Sequence, residues 1–159
     1  MSETARERQP GASVGIVIVT HGQLASELLH AAEAIVGDLP RVVAVSIGWH
    51  DDVRDAREEI GRAIARVQGT DGVLILTDMF GGTPSNLGLT FLEADRVEVI
   101  TGVNLAMLLK LSRIGSTSTL LELARMISEQ GRSAICVASD LLHRNEQATG
   151  AGDDSGESA

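Results

Sequence analysis

The sequence predicts an open, doubly wound α/β domain whose mostly parallel sheet has the strand order 2-1-3-4 and helices on both faces. Three observations lead there. Short, almost wholly apolar runs alternate with longer segments whose apolar residues recur at helical spacing. The runs are apolar at successive positions, as strands covered on both faces require. Strand following helix following strand implies right-handed crossovers between parallel neighbours.

Each element follows in turn. Residues 14–19 form the first strand. After His21-Gly22, the residues Leu24, Leu28, Leu29, Ala32 and Ile35 line one helical face, which Gly37 closes as a C-cap. Residues 42–47 are the second strand. A charged helix from about 51 to 67 then carries Val53, Ala56, Ile60, Ala63, Ile64 and Val67 on one face, with Asp51-Asp52 suited to its positive N-terminal end. Residues 73–76 are the third strand, and residues 84 to about 92 the next helix. Residues 97–100 form the fourth strand, followed by helices near 105–111 and 117–130. Gly131 is expected to stop the last helix ahead of a final strand at 133–138. That run is apolar on both faces and is ill suited to a solvated sheet edge. Residues 1–12 and 145–159, the latter acidic, are polar and read as disordered tails flanking one domain, residues 13–144.

Composition excludes several functions. Aromatic residues are few (Trp49, Phe80, Phe91, no Tyr), so the core must be aliphatic, and no stacking surface for single-stranded nucleic acid is available. The net charge is −9 and no basic patch is visible, which argues against nucleic acid as a ligand. The lone Cys136, read as a core residue, excludes an internal disulfide and a cysteine-based metal cluster. No apolar run approaches the ~18 residues of a membrane span, and residues 1–10 lack the pattern of a signal peptide. A cytoplasmic protein without direct membrane insertion is expected.

In open α/β sheets ligands bind beyond the carboxyl ends of the strands, where the strand order reverses. With order 2-1-3-4, the loops after strands one and three flank that point, so His21 and Asp78 should face each other. A neutral imidazole is nucleophilic through one ring nitrogen, and a carboxylate on the other N–H fixes its tautomer and stabilises the cation formed on phosphorylation. Next to this pair, Gly81-Gly82 allow backbone N–H groups to approach an anion. Thr83 suits an N-cap and Pro84 the first helical position, together a phosphate cradle. Ser85 and Asn86 stand in the same cradle, and Thr20, Trp49, His50 and Asn104 are possible cleft residues, with capping or stitching of loops as the equal alternative for Asn86 and Asn104. His30 reads as a surface or packing residue, His143 as solvated, and Met79, Met107 and Met126 as core filler.

The segments Ile16-Val17-Ile18-Val19-Thr20-His21-Gly22, Leu76-Thr77-Asp78-Met79-Phe80-Gly81-Gly82-Thr83-Pro84-Ser85-Asn86 and Val99-Ile100-Thr101-Gly102-Val103-Asn104 resemble the signature segments of mannose-family enzyme IIA of the bacterial sugar phosphotransferase system. The likeness covers roughly residues 14–140. It implies phosphorylation of His21 on Nε2 by the phosphocarrier protein HPr, with Asp78 bonded to Nδ1. Thr83 and nearby backbone amides would hold the phosphoryl oxygens. The phosphoryl group would pass to a separate enzyme IIB, without metal or cofactor. The resemblance also implies a homodimer that exchanges its last strand. Ala106 departs from a frequent Pro, and Gln23 from an occasional aromatic residue.

Other readings fare worse. A receiver domain needs an acidic cluster after strand one, where Thr20-His21 stand. No nucleotide-binding glycine loop or nucleophile elbow is present. The phosphocarrier subunit of dihydroxyacetone kinase shares the early His but lacks the Gly-Gly-Thr-Pro string. A regulatory module, reporting the phosphorylation state of His21 to a kinase or transcription regulator, is the alternative to sugar transport.

Overall fold

β1 (Gly15–His21) runs parallel between β2 (Val42–Ile47) and β3 (Val73–Thr77), and β3 pairs in parallel with β4 (Val97–Thr101). The order is therefore 2-1-3-4, as the sequence predicts. The computed structural model describes residues 14–69, 71–114 and 119–150.

Alternation along the strands divides the core. Ile16 and Ile18 of β1 and Leu74 and Leu76 of β3 face α1 (Leu24–Val36), α4 (Leu105–Leu111) and α5 (Leu120–Ser133), where Ala32, Met107, Leu108 and Ile127 meet them. Val17, Val19, Val45 and Ile75 face the other way. They bury Ile60 and Ala63 of α2 (Val53–Val67) and Leu87 of α3 (Thr83–Leu89). Each fully buried Ile or Leu contributes about 1.5–3 kcal/mol through removal from water. The buried apolar side chains on both faces are aliphatic apart from Met107, with Phe91, partly buried, packed against the second cluster. Local sequence sets the helix starts. Asp52 caps α2 by accepting from Arg54 N (2.7 Å), and Thr119 with Glu122 forms a capping box on α5.

In the single chain the C-terminal segment departs from the expected helix stop and strand. α5 does not stop at Gly131 but runs through it to Ser133, and residues 133–138 form no strand. Ile135 and Val137 are exposed, as is Cys136, and α6 (Ala138–Gly150) follows. Gly131 has a different task from ending the helix. It is buried, and a Cβ there would meet Met107 Sδ at 2.7 Å, so the missing side chain lets α5 close onto α4. Residues 145–150, read as tail, lie in α6, while residues 1–12 and 151–159 lie outside the described residues. Of the methionines read as core, Met107 is buried but Met79 and Met126 are exposed. Among the described residues no helix is long and apolar enough to cross a membrane.

Candidate functional site

The register sets His21 of β1 opposite Ile47 of β2, and Thr77 of β3 opposite Thr101 of β4, so the loops after all four strands share one edge. The backbone at His21 is held on both sides. Gly22 N–H donates to the Ile47 carbonyl (2.9 Å), and His21 N–H donates to Asp78 Oδ2 (3.0 Å). Thr20, a cleft candidate from sequence, is fully buried. Its Oγ1 accepts from Ala25 N (2.7 Å) and so secures the start of α1, where Gln23 makes no side-chain cap.

His21 Nδ1 lies 2.7 Å from the same Asp78 Oδ2, and Met79 N–H donates to Oδ1 (3.0 Å). Burial pushes the Asp78 carboxyl up. The His21 backbone N–H, the His21 ring, the charge interaction with that ring and the Met79 N–H outweigh it and hold the group below its ordinary 3.8. An ionised carboxylate only accepts hydrogen bonds, so Nδ1 carries the proton, and in the neutral imidazole Nε2 then holds the lone pair. The His21 side chain is 39% exposed and that of Asp78 13%, so the nucleophile is open while its partner is shielded.

The loop after β3 passes over the other side of the imidazole. Gly81 and Gly82 both have φ near +87 (86° and 88°), and Gly82 is the N-cap of α3. A Cβ on Gly82 would lie 3.1 Å from His21 Nε2. The cap is thus one residue earlier than expected: Thr83, not Pro84, opens the helix, and the Thr83 side chain is exposed rather than capping. Ser85 is fully buried, and its Oγ accepts from Gly81 N (3.0 Å), bracing the loop from inside. Asn86 is exposed on the first turn of α3, its N–H donating to the Gly82 carbonyl (3.0 Å).

The remaining candidates separate. Asn104 caps α4 by accepting from Met107 N (3.1 Å) and donates through Nδ2 to the Gly131 carbonyl (3.0 Å), so it stitches α4 to α5. Trp49 and His50 lie exposed on the loop after β2. His30 is exposed 3.9 Å from Glu27, and His143 is exposed against the Ser139 carbonyl. The Met79 amide was missed in the sequence because backbone donors carry no residue-type signal.

The family described as "PTS system fructose IIA component" matches residues 15–128. The mannose-specific EIIAB component of Escherichia coli (strain K12) is 31% identical over 125 residues, covering 77% of this chain but 39% of that protein. The chain therefore spans well under half the length of that relative. The fructose-specific EIIA component of Bacillus subtilis is 26% identical over 132 residues, 82% of this chain and 90% of that protein. Among solved structures, the PTS IIA protein associated with the fucose utilization operon of Streptococcus pneumoniae superposes with a TM-score of 0.72. It has 27% identity and covers 84% of this chain and 99% of that one. The chain belongs to the mannose/fructose family of PTS IIA domains.

Proposed function

We propose that His21 accepts a phosphoryl group on Nε2 from phospho-HPr and passes it to a separate enzyme IIB of a sugar phosphotransferase system. The observation that carries this reading is the 2.7 Å pairing of Nδ1 with Asp78 Oδ2, which leaves the Nε2 lone pair beside Gly82. In the forward step that lone pair attacks the phosphorus of the donor's phosphohistidine. The donor P–N bond breaks, and its electron pair leaves with the donor imidazole. His21 keeps the Nδ1 proton, its ring becomes cationic, and the Asp78 carboxylate neutralises it. The Gly82 and Thr83 amides, the Thr83 hydroxyl and Asn86 are assigned to the phosphoryl oxygens, while Gly81 and Ser85 shape the loop. Incubation with enzyme I, HPr and phosphoenolpyruvate should give one acid-labile, base-stable phosphoryl group per chain. Phosphorus NMR should place it on Nε2. A chain that stays unlabelled, or an acid-stable adduct, would overturn the reading.

Asp78 is a positioning residue in this scheme. Asp78→Asn removes the charged acceptor, and we expect transfer to slow by about 10–10³-fold, below the ~10⁴ seen when a catalytic triad loses its carboxylate, because no proton is relayed. The substitution also has a stability signature. The native group titrates below its ordinary 3.8, so between the two values the unfolded chain binds more protons. The Asp78 contribution is therefore complete above 3.8 and lost as pH falls through the lower native value. Denaturant titrations of wild type and Asp78→Asn should differ at neutral pH and converge in acid; a difference that grows in acid would contradict this.

The chain is further proposed to be a homodimer. β4 is an edge strand, and a groove of about 500 Å³ lies between it and α5, lined by Glu98, Thr101, Leu121, Arg125, Ser128 and Arg132 among others. Ile135 (78% exposed) and Val137 (63%) are also left in water, with Leu142 of α6. A second copy would cover both the edge and the apolar segment, which proteins seldom leave open. Light scattering should give a dimer for the intact chain and a monomer for a chain ending at Ser133. An intact monomer would refute the proposal.

A further inference from the structure

Around His21 the carboxyl edge of the sheet exposes large apolar side chains that the fold does not use. Trp49, on the loop after β2, is 93% exposed, and Phe80, on the loop after β3, is 76% exposed. Met79, next to Phe80 in the chain, and Leu24, at the start of α1, are exposed as well. Because β1 lies between β2 and β3, these two loops stand on opposite sides of His21. The Gly22–Ile47 hydrogen bond ties the first of them down only two residues before Trp49.

The Trp49 loop is built, not slack. Gly48 N–H donates to the Asp51 carboxylate, Asp51 N–H returns to the Gly48 carbonyl (3.3 Å), and Asp52 caps α2. A tied loop that presents indole outward loses little conformational freedom when something covers it. Asp51, Asp52 and Asp55 are exposed next to it with Arg54 among them, so the rim is apolar and net negative.

We infer that Trp49 is the anchor by which this chain selects its protein phosphodonor, with Phe80 across the nucleophile as the second contact. The donor would present an apolar surface bordered by cationic side chains. The inference rests on the phosphohistidine reading above. Transfer between imidazoles on two proteins requires the reacting atoms to come within about 3–3.5 Å, so both surfaces around them must meet and lose water. A Trp inside that contact ring is the residue type that most often dominates such an interface. The carboxylates beside it, on a chain of net charge −9, attract a cationic partner and make its capture sensitive to salt.

The chain has one Trp, which makes it its own reporter. Titration with HPr from the same organism should shift the indole emission to the blue and lower its quenching by acrylamide. Trp49→Ala should raise KM for phospho-HPr at least about tenfold while kcat changes little, and Trp49→Phe should recover part of the loss. Phosphoramidate, which donates its phosphoryl group and releases ammonia, needs no docking face. It should label His21 of Trp49→Ala at the wild-type rate. An unchanged KM in Trp49→Ala would overturn the inference. So would an indole already shielded in the isolated protein, covered by the chain's own termini or a second copy. Equal loss of labelling from both donors would overturn it as well, since the substitution would then be disturbing His21 itself. Absence of label on wild-type His21 from either donor would bring down the phosphocarrier reading, and the anchor with it.

Discussion

Replacing His21 by Ala is expected to abolish phosphorylation while leaving the fold nearly as stable as before. The two halves have separate physical grounds. His21 supplies the lone pair, and no neighbouring group replaces it. Asp78 has both carboxylate oxygens engaged by backbone N–H groups and an acyl phosphate on it would be base-labile, and His30, His50 and His143 are exposed residues outside the Asp78 pair. The fold tolerates the change because the backbone keeps the carboxylate satisfied. Asp78 Oδ2 still accepts from the residue 21 N–H and Oδ1 from Met79 N–H. Losing one partly exposed side-chain hydrogen bond costs only about 0.5–1.5 kcal/mol. Labelling from phosphoenolpyruvate through enzyme I and HPr should fall to background in His21→Ala, with a thermal midpoint within a few degrees of wild type, about 4 °C per kcal/mol for a domain of this size. A labelled variant would disprove the assignment. An unfolded one would show His21 to be structural.

The sheet was legible in the sequence because burial on both faces writes itself as apolar runs, and the crossover rule then limits their order. The pairing of His21 with Asp78 was legible for the same reason: two strand ends at a known switch point. What failed depended on partners that a linear pattern does not name. Residues 134–138 are apolar enough to be a strand, but within a single chain α5 continues to Ser133 and α6 starts at Ala138, leaving Ile135 and Val137 in water. The pattern recorded a need for cover, not what provides it. Gly131 looked like a helix stop because Gly often is one. Here the close approach of Met107, an element away in sequence, explains it. Thr20 looked like a cleft residue from its position at a strand end, and Asn104 read equally as a cleft residue or a cap. Their polar atoms are engaged by Met107 N, the Gly131 carbonyl and Ala25 N, bonds that only the folded geometry reveals.

Gly82→Ala is expected to reduce phosphoryl acceptance by at least about 10²-fold, far beyond what its effect on stability would explain. Two penalties meet at this position. The backbone there (φ 88°, ψ 171°) belongs almost only to glycine, and forcing another residue into it costs about 1–3 kcal/mol. The second penalty is spatial. The new Cβ would sit 3.1 Å from His21 Nε2 and 3.2 Å from Cε1, at the distance a reacting atom occupies just before bond formation. The adjacent glycine separates the two. Gly81 has a similar positive φ of 86°, but a Cβ there meets nothing within 4 Å. The residue 81 N–H would still donate to Ser85 Oγ whatever side chain position 81 carries. Gly81→Ala should therefore show strain in a denaturant titration yet lose transfer no more than about tenfold, a backbone-scale effect. Gly82→Ala should show similar strain and a nearly dead site toward both phospho-HPr and phosphoramidate, because the obstruction lies at the nucleophile. If the two variants lose activity equally, loop strain rather than access to Nε2 governs the site. If Gly82→Ala transfers at the wild-type rate, the phosphoryl group does not enter past Gly82 at all.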